Sequence, residues 1–327
     1  MNNKIFEFKN DLVSDLYTYL FSDNMFICFN SLDDILYLIY SYKNIIIINN
    51  LLDNKIMNKI NNAHENKIIS FYFYLNKSNK KDLFISISFD NIKLWNVNNC
   101  ECLLNLLLNP DCSFISACIM NDNNNNYIIQ STIGNDSLIV VYDFDGHTIK
   151  KIDDSSDETI FIDKYFDINL NKNYIITGNN GYVKSFDFNE NALYHKYSEN
   201  SNKFQNSIVI TEQNEQKKLI SSSGDGNIRL WDFHSGEFLN KININKNHGL
   251  FGICLWNNYL FVSVSNKSIK IISLEDDNKI INEIYGHKGP VLCIKKIIDS
   301  RLGKCLISYG KNEKIKIWKL KQNIKFL

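Results

Sequence analysis

A short unit recurs along this chain, and it constrains the fold more tightly than any other feature of the sequence. The clearest copy is LISSSGDGNIRLWDFHSGEFLNKI, from Leu219 to Ile242; LFISISFDNIKLWNVNNCECLLNL from Leu83 and CLISYGKNEKIKIWKL from Cys305 resemble it. Each reads as a strand alternating apolar and polar residues, a polar turn, and a second alternating strand that ends in Trp. With Trp95, Trp231 and Trp318 as anchors, the same place can be followed through weaker copies. It falls at Ile48, Trp95, Tyr142, Phe186, Trp231, Ile272 and Trp318, at intervals of 47, 47, 44, 45, 41 and 46 residues. A hydroxyl marks the register a second time. Ser86, Thr132, Thr177, Ser221, Ser263 and Ser308 precede their anchors by 9, 10, 9, 10, 9 and 10 residues. At 327 residues, length alone suggests two domains of about 100–200 residues each. Closed all-β arrays are the exception, because they grow by adding equivalent sheets.

These residues resemble the WD-repeat family over essentially the whole chain, and the anchor interval is close to the family's ~40–45 residues per blade. The family pattern is Gly-His, a Ser or Thr, an Asp in the following turn, and Trp-Asp. His64, Ser86, Asp90 and Trp95 fit it with a turn one residue short, and Gly286-His287, Ser308, Asn312 and Trp318 fit it with Asn in place of Asp. Both His-to-Trp spacings are 31 residues. Ser221, Asp225 and Trp231-Asp232 keep the pattern without a His, and Thr132, Asp136 and Tyr142-Asp143 keep part of it. Blades one, four and six lack most of the polar set, so packing is expected to hold them. The resemblance implies an all-β, seven-bladed WD-repeat propeller formed by residues 1–327 as one domain. In such a blade the hydroxyl bridges the turn carboxylate and the His. It also implies a ring closed by an N-terminal strand, Lys4–Phe8, that completes the last blade beside Trp318.

Composition narrows the function. Lys plus Arg and Asp plus Glu number 36 each, so the chain lacks the basic excess of a nucleic-acid binder. The N-terminus MNNKIFEFKN has no apolar core of a secretory signal, and no run of 18 apolar residues marks a membrane span. Eight scattered Cys without metal spacing suit a reducing compartment, so disulfides are not expected. A cytoplasmic location follows as the expectation, with the nucleus also open. Asn is abundant in strands and loops alike; the NDNNNN stretch at Asn121–Asn126 reads as a solvated loop.

Most chemically tempting residues have structural explanations. Cys28, Cys118, Cys254 and Cys293 lie in short apolar strands, where a thiol behaves as a small hydrophobe. Cys100, Cys102 and Cys112 complete no tetrahedral set, so no metal is expected. His64 and His287 belong to the hydrogen-bonded pattern; His147, His195, His234 and His248 share none. The Gly-rich Ser223–Gly226 lies between strands, without the helix start a phosphate loop needs, so no cofactor is expected. The lysines of KIKIWKLKQNIK, Lys314 to Lys325, alternate as on a half-wet strand.

Polar insertions at Asn76–Lys81, Asn121–Asn126, Thr211–Lys218 and Asp299–Lys304 follow the first strand of a blade and share one rim by the family architecture. The opposite face is steadier and commonly binds peptides in the family. Offsets from the His and Trp markers place Lys67, Ile69, Phe89, Phe114, Ser116, Asn135, Phe161, Gln205, Phe251 and Lys311 around its mouth. Four Phe are more aromatic surface than a solvated rim needs, although inter-blade packing would also account for some of them. The expected function is a non-catalytic protein-interaction scaffold, a subunit of a hetero-complex. The alternatives are an enzyme or small-molecule binder using the central channel, or an RNA- or ubiquitin-binding adaptor.

Overall fold

The computed structural model describes residues 6–8 and 26–320, apart from 32–34, 43, 54, 77–80, 90, 108–111, 123–124, 135–137, 154–158, 200, 202, 214–215, 276–277 and 312–314. Every regular element among them is a β-strand, and the strands form seven four-stranded antiparallel sheets, here called blades one to seven in chain order. No helix among the described residues is long and apolar enough to cross a membrane.

The chain divides into two compact units. Residues 24–205 form one, with blades one to four. Blade one comprises Phe26–Asn30, Leu36–Tyr42, Ile45–Asn50 and Lys55–Ile60. Blade two comprises Ile68–Asn76, Lys81–Ser88, Asn91–Asn96 and Cys102–Leu107. Blade three comprises Cys112–Asp122, Asn125–Gly134, Leu138–Asp143 and Thr148–Asp153; blade four Phe161–Asp167, Lys172–Gly178, Tyr182–Asp187 and Ala192–Ser198. Residues 206–327 with 1–23 form the other unit, with blades five to seven. Blade five comprises Gln205–Gln213, Gln216–Ser223, Asn227–Asp232 and Phe238–Asn243; blade six Leu250–Trp256, Tyr259–Val264, Ser268–Ser273 and Lys279–Tyr285. Blade seven has Val291–Asp299, Gly303–Gly310 and Ile315–Leu320, and takes its fourth strand from the start of the chain. Phe6, Glu7 and Phe8 pair with Leu320, Lys319 and Trp318; Lys4 and Ile5 lie outside the described residues.

Alternation builds these sheets, because side chains on a strand point to opposite faces in turn. All seven anchors fall on third strands, each opposite an apolar residue of the second strand: Ile39, Phe84, Ile128, Ile175, Leu219, Leu260 and Leu306. In blades two to six the pairing with the fourth strand slips immediately before the anchor. Such bulges raise the local twist and re-aim the side chain. The core forms where faces of neighbouring blades meet. Phe29, Tyr37, Ile39 and Ile48 pack with Phe71, Phe84 and Trp95 between blades one and two. In the other unit, Cys254, Trp256, Phe261 and Ile271 pack with Val291, Ile294, Leu306 and Trp318 between blades six and seven.

Register corrects two of the hydroxyl markers and adds one. Ser86, Thr177, Ser221 and Ser308 stand opposite the residue two before their anchor, namely Lys93, Lys184, Arg229 and Lys316. Ser263 instead stands opposite Ile269, one place further, and so faces the other side of blade six. In blade three the equivalent place belongs to Gln130, opposite Val140. Blade one, in contrast, does carry the hydroxyl: buried Ser41 stands opposite Ile46, two before Ile48. Asn121–Asn126 is also not an open loop, since Asn121 pairs with Asn126 and Asp122 with Asn125, extending the first hairpin of blade three.

Candidate functional site

In blade two, Ser86 on the second strand and Trp95 on the third converge on His64, which lies ahead of the first strand. The indole Nε1 of Trp95 donates to Ser86 Oγ at 2.8 Å, and Ser86 Oγ lies 2.5 Å from His64 Nε2. The indole has no lone pair to accept with, so the hydroxyl accepts from it and donates onward to Nε2. That leaves Nδ1 of a neutral imidazole as the donor, and its partner is Asn91 Oδ1. Asp90, expected in that role, lies outside the described residues. His64, Ser86 and Asn91 are all buried, and none of these bonds could be replaced by water without moving the blade.

Blade seven repeats the arrangement. His287 Nε2 and Trp318 Nε1 both lie 2.7 Å from Ser308 Oγ. Asn312 is outside the described residues. The lysine two before the anchor adds a bond that the sequence reading missed. Lys93 Nζ donates to the carbonyl of Ala63, the residue before His64, at 2.7 Å, and Lys316 Nζ to that of Gly286, before His287, at 2.5 Å. Lys270 reaches Ile244 O at 3.2 Å in the same manner. Lys316 reads as solvated in an alternating strand, yet each of the three lysines straps its third strand to the segment entering its own blade.

Blades four and five solve the same problem with other chemistry. In blade five, Arg229 is 1 % exposed and grips Asp225 through both carboxylate oxygens, at 3.2 and 2.6 Å. Burial pushes the Asp225 carboxyl up, but the guanidinium and the Asn227 amide outweigh it and hold the pKa at about 2. Trp231 is buried against the edge of Phe238, and Ser221 is fully buried. Gly226 is required in this turn: its φ is +81°, and a Cβ there would fall 1.8 Å from the Asn245 carbonyl oxygen. Blade four, expected to rely on packing, carries a buried polar chain. Thr177 Oγ1 donates to Asn179 Oδ1 at 3.0 Å, and Asn179 Nδ2 to Thr159 Oγ1 at 3.1 Å. Blade three uses Thr132 differently, through its hydroxyl's bonds with the backbone N–H and C=O of Leu138 at 3.2 and 3.3 Å.

The residues placed around a peptide-binding mouth fare unequally. Within residues 24–205, Lys67 and Phe89 flank the paired ends of Ile68 and Ser88, where Ser88 Oγ donates to the Lys67 carbonyl at 3.1 Å. Lys67 is exposed, Ile69 half-buried, and Phe89 keeps 49 % of its surface accessible. Ser116 Oγ accepts from Ile162 N at 3.2 Å, next to Phe161. The Phe161 ring lies on Gly178, filling the space a Cβ would take, so it is a packing residue. Gln205 is fully buried, its side-chain amide donating to Lys203 O at 3.4 Å; the offset had placed a core residue on the rim. Asn135 and the Phe114 side chain lie outside the described residues. In the other unit Phe251 is half-buried, with its carbonyl accepting from Ser222 Oγ at 3.2 Å, and Lys311 is exposed.

Cysteine and metal chemistry finds little foothold. Cys118 and Cys254 are buried in the core; burial pushes the Cys254 thiol up to about 11 and the Cys118 thiol higher still. Neither is a thiolate near neutral pH. Cys293 is half-buried, and the Cys28 side chain lies outside the described residues. Among the described residues, Asp143, Asp145 and His147 bring three potential ligand atoms within 4.8 Å. Their geometry is that of a turn. Asp143 Oδ1 accepts from the N–H of Asp145 and of His147, as Asp187 and Asp232 accept from the residues two and three beyond them.

The WD domain, G-beta repeat model matches residues 195–232 and 278–319. The matches begin in or just before the fourth strand of one blade and end in the third strand of the next, so the sequence repeat is offset by one strand from the folded sheet. The chain matches no curated protein. Two matched repeats, with the same four-stranded antiparallel blade built seven times among the described residues, support a WD-repeat β-propeller.

Proposed function

We propose that this propeller is a non-catalytic interaction platform, working in the cytoplasm or nucleus as part of a hetero-complex. Propellers of this family commonly bind other proteins and are generally non-catalytic. The observation that carries the reading is Phe89. It stands half-exposed beside Lys67 and Ile69, on a blade whose turn is anchored by the His64–Ser86–Trp95 bonds. A rigid, partly exposed aromatic loses little side-chain freedom on binding and gains much when covered. The buried, protonated thiols support the non-catalytic side, because they supply no nucleophile.

The test is affinity capture from lysate with wild-type protein and with Phe89→Ala and Lys67→Ala variants, alongside thermal melting. Specific partners should be lost from the Phe89→Ala capture while melting is unchanged, since a desolvated aromatic anchor contributes about 2 kcal/mol or more to binding. Partners retained by both variants would move the site elsewhere. Melting lowered by many degrees would show that Phe89 is a core residue.

A further inference from the structure

At the end of blades three and four that carries their first hairpins lies an open cavity of about 520 Å³. It is lined by Asn121 and Asp122 of blade three and by Lys164, Phe166 and Asn173 of blade four, with Asn189 nearby. Lys164 and Phe166 are two apart on one strand and share its face; Asn173 stands opposite Phe166. The lining carboxylate is engaged, since Asn173 Nδ2 donates to Asp122 Oδ1 at 2.8 Å. Lys164 is not. Its ammonium makes no hydrogen bond or ion pair among the described residues, and lies 5.8 Å from the centre of the Tyr74 ring. Burial lowers its pKa despite the opposing pull of Cys118 and Asp163. Such an ammonium gains when an anion joins it.

The turn that joins the lining residues Phe166 and Asn171 carries exposed apolar side chains. Asp167 Oδ1 accepts from the backbone N–H of Asn169 and Leu170, at 2.9 and 3.1 Å, fixing the turn after Phe166. On that fixed turn, Ile168 and Leu170 keep 79 % and 52 % of their surface accessible, and Phe166 48 %. A cation in a polar pocket beside a rigid apolar ledge fits one kind of occupant. Nucleic acid would meet a single free cation close to Asp122 and Asp163, with nothing for a phosphate run to follow. We propose that this cavity takes an acidic side chain of a partner polypeptide: its carboxylate meets Lys164, and its apolar neighbours lie on Phe166, Ile168 and Leu170. The site is at the opposite end of the blades from Phe89, because successive turns of an antiparallel sheet alternate ends, so it is independent of the reading above.

A peptide array tests it with the full-length protein. The probes are octapeptides with a central Glu or Asp flanked by Leu, Ile, Phe or Met, each beside its Gln or Asn counterpart. Acid-containing spots should bind and their amide counterparts should not. The tightest peptide, measured by fluorescence anisotropy, should lose at least tenfold in affinity to Lys164→Met and keep it with Lys164→Arg. Ile168→Ser with Leu170→Ser, both exposed, should cost threefold or more without lowering the melting temperature, which keeps the test sound if Lys164→Met is destabilised. Phe89→Ala should bind as wild type does. No preference for acid over amide, undiminished binding by Lys164→Met, or loss in Phe89→Ala would each overturn the proposal.

Discussion

Among the described residues, five of the seven non-glycine positions with left-handed backbone are asparagines: Asn62, Asn171, Asn191, Asn257 and Asn278. The αL region costs most L-residues steric strain, and Asn is among the few that enter it readily. The chain has only 13 Gly, and its asparagines take turn positions that glycines fill elsewhere. They also cap: Asn50, Asn96 and Asn245 each accept from the backbone N–H two residues on. What reads in the sequence as compositional bias thus performs turn chemistry throughout. At the same scale, Asp225 makes stability depend on pH. Its folded pKa of about 2 lies below the ~3.9 of an unfolded Asp, so its contribution is complete above that value. It disappears as pH falls through the window from about 4 to 2. The stability gap between wild type and Asp225→Asn, from urea midpoints at pH 5, 4, 3 and 2.5, should therefore narrow across that series. A gap that stays constant would mean that Asp225 does not titrate against Arg229.

At the scale of the blade, a hydroxyl joined to an indole and an imidazole fastens three segments at one point. Ser86→Ala leaves the Trp95 N–H and His64 Nε2 buried without it, which should cost about 1–3 kcal/mol. The denaturant midpoint should fall with m unchanged; an unaltered midpoint would show that the bonds are not needed. The anchors of all seven blades were legible because bulk and alternation are local signals. The polar partners were legible where the family's His, Ser and Trp stand in their usual places. Ser41 escaped because its turn is short, Asn91 because it is not the Asp that the pattern calls for, and the Thr159–Asn179–Thr177 chain because it contains neither His nor Asp. Lys316 looked solvated since alternation tells which side a residue faces, not what lies there. For Gln205, an offset carried across a weakly marked blade turned a buried amide into a rim residue.

For the whole molecule, the pairing of Phe6–Phe8 with Ile315–Leu320 is the longest-range contact in the sequence. Removing residues 1–9 would leave Ile315–Leu320 as an open edge, the kind of strand that recruits other chains. The truncated protein should melt a few degrees lower, at about 2–4 °C per kcal/mol for chains of 150–250 residues, and should self-associate in light scattering. Melting and scattering like those of the intact chain would show that the strand is dispensable. The same pairing also sets an order of events at the ribosome. Residues 24–205 lie in sequence between the two parts of the other unit, so the fourth strand of blade seven is made well before its third. At about 5–20 residues per second, roughly 15–60 s separate their synthesis. Blades one to four can assemble as they emerge, while Phe6–Phe8, already outside the ribosome, waits for the other three strands of blade seven. A chain released before Ile315–Leu320 is made therefore keeps Phe6–Phe8 without the partner that the finished blade gives it.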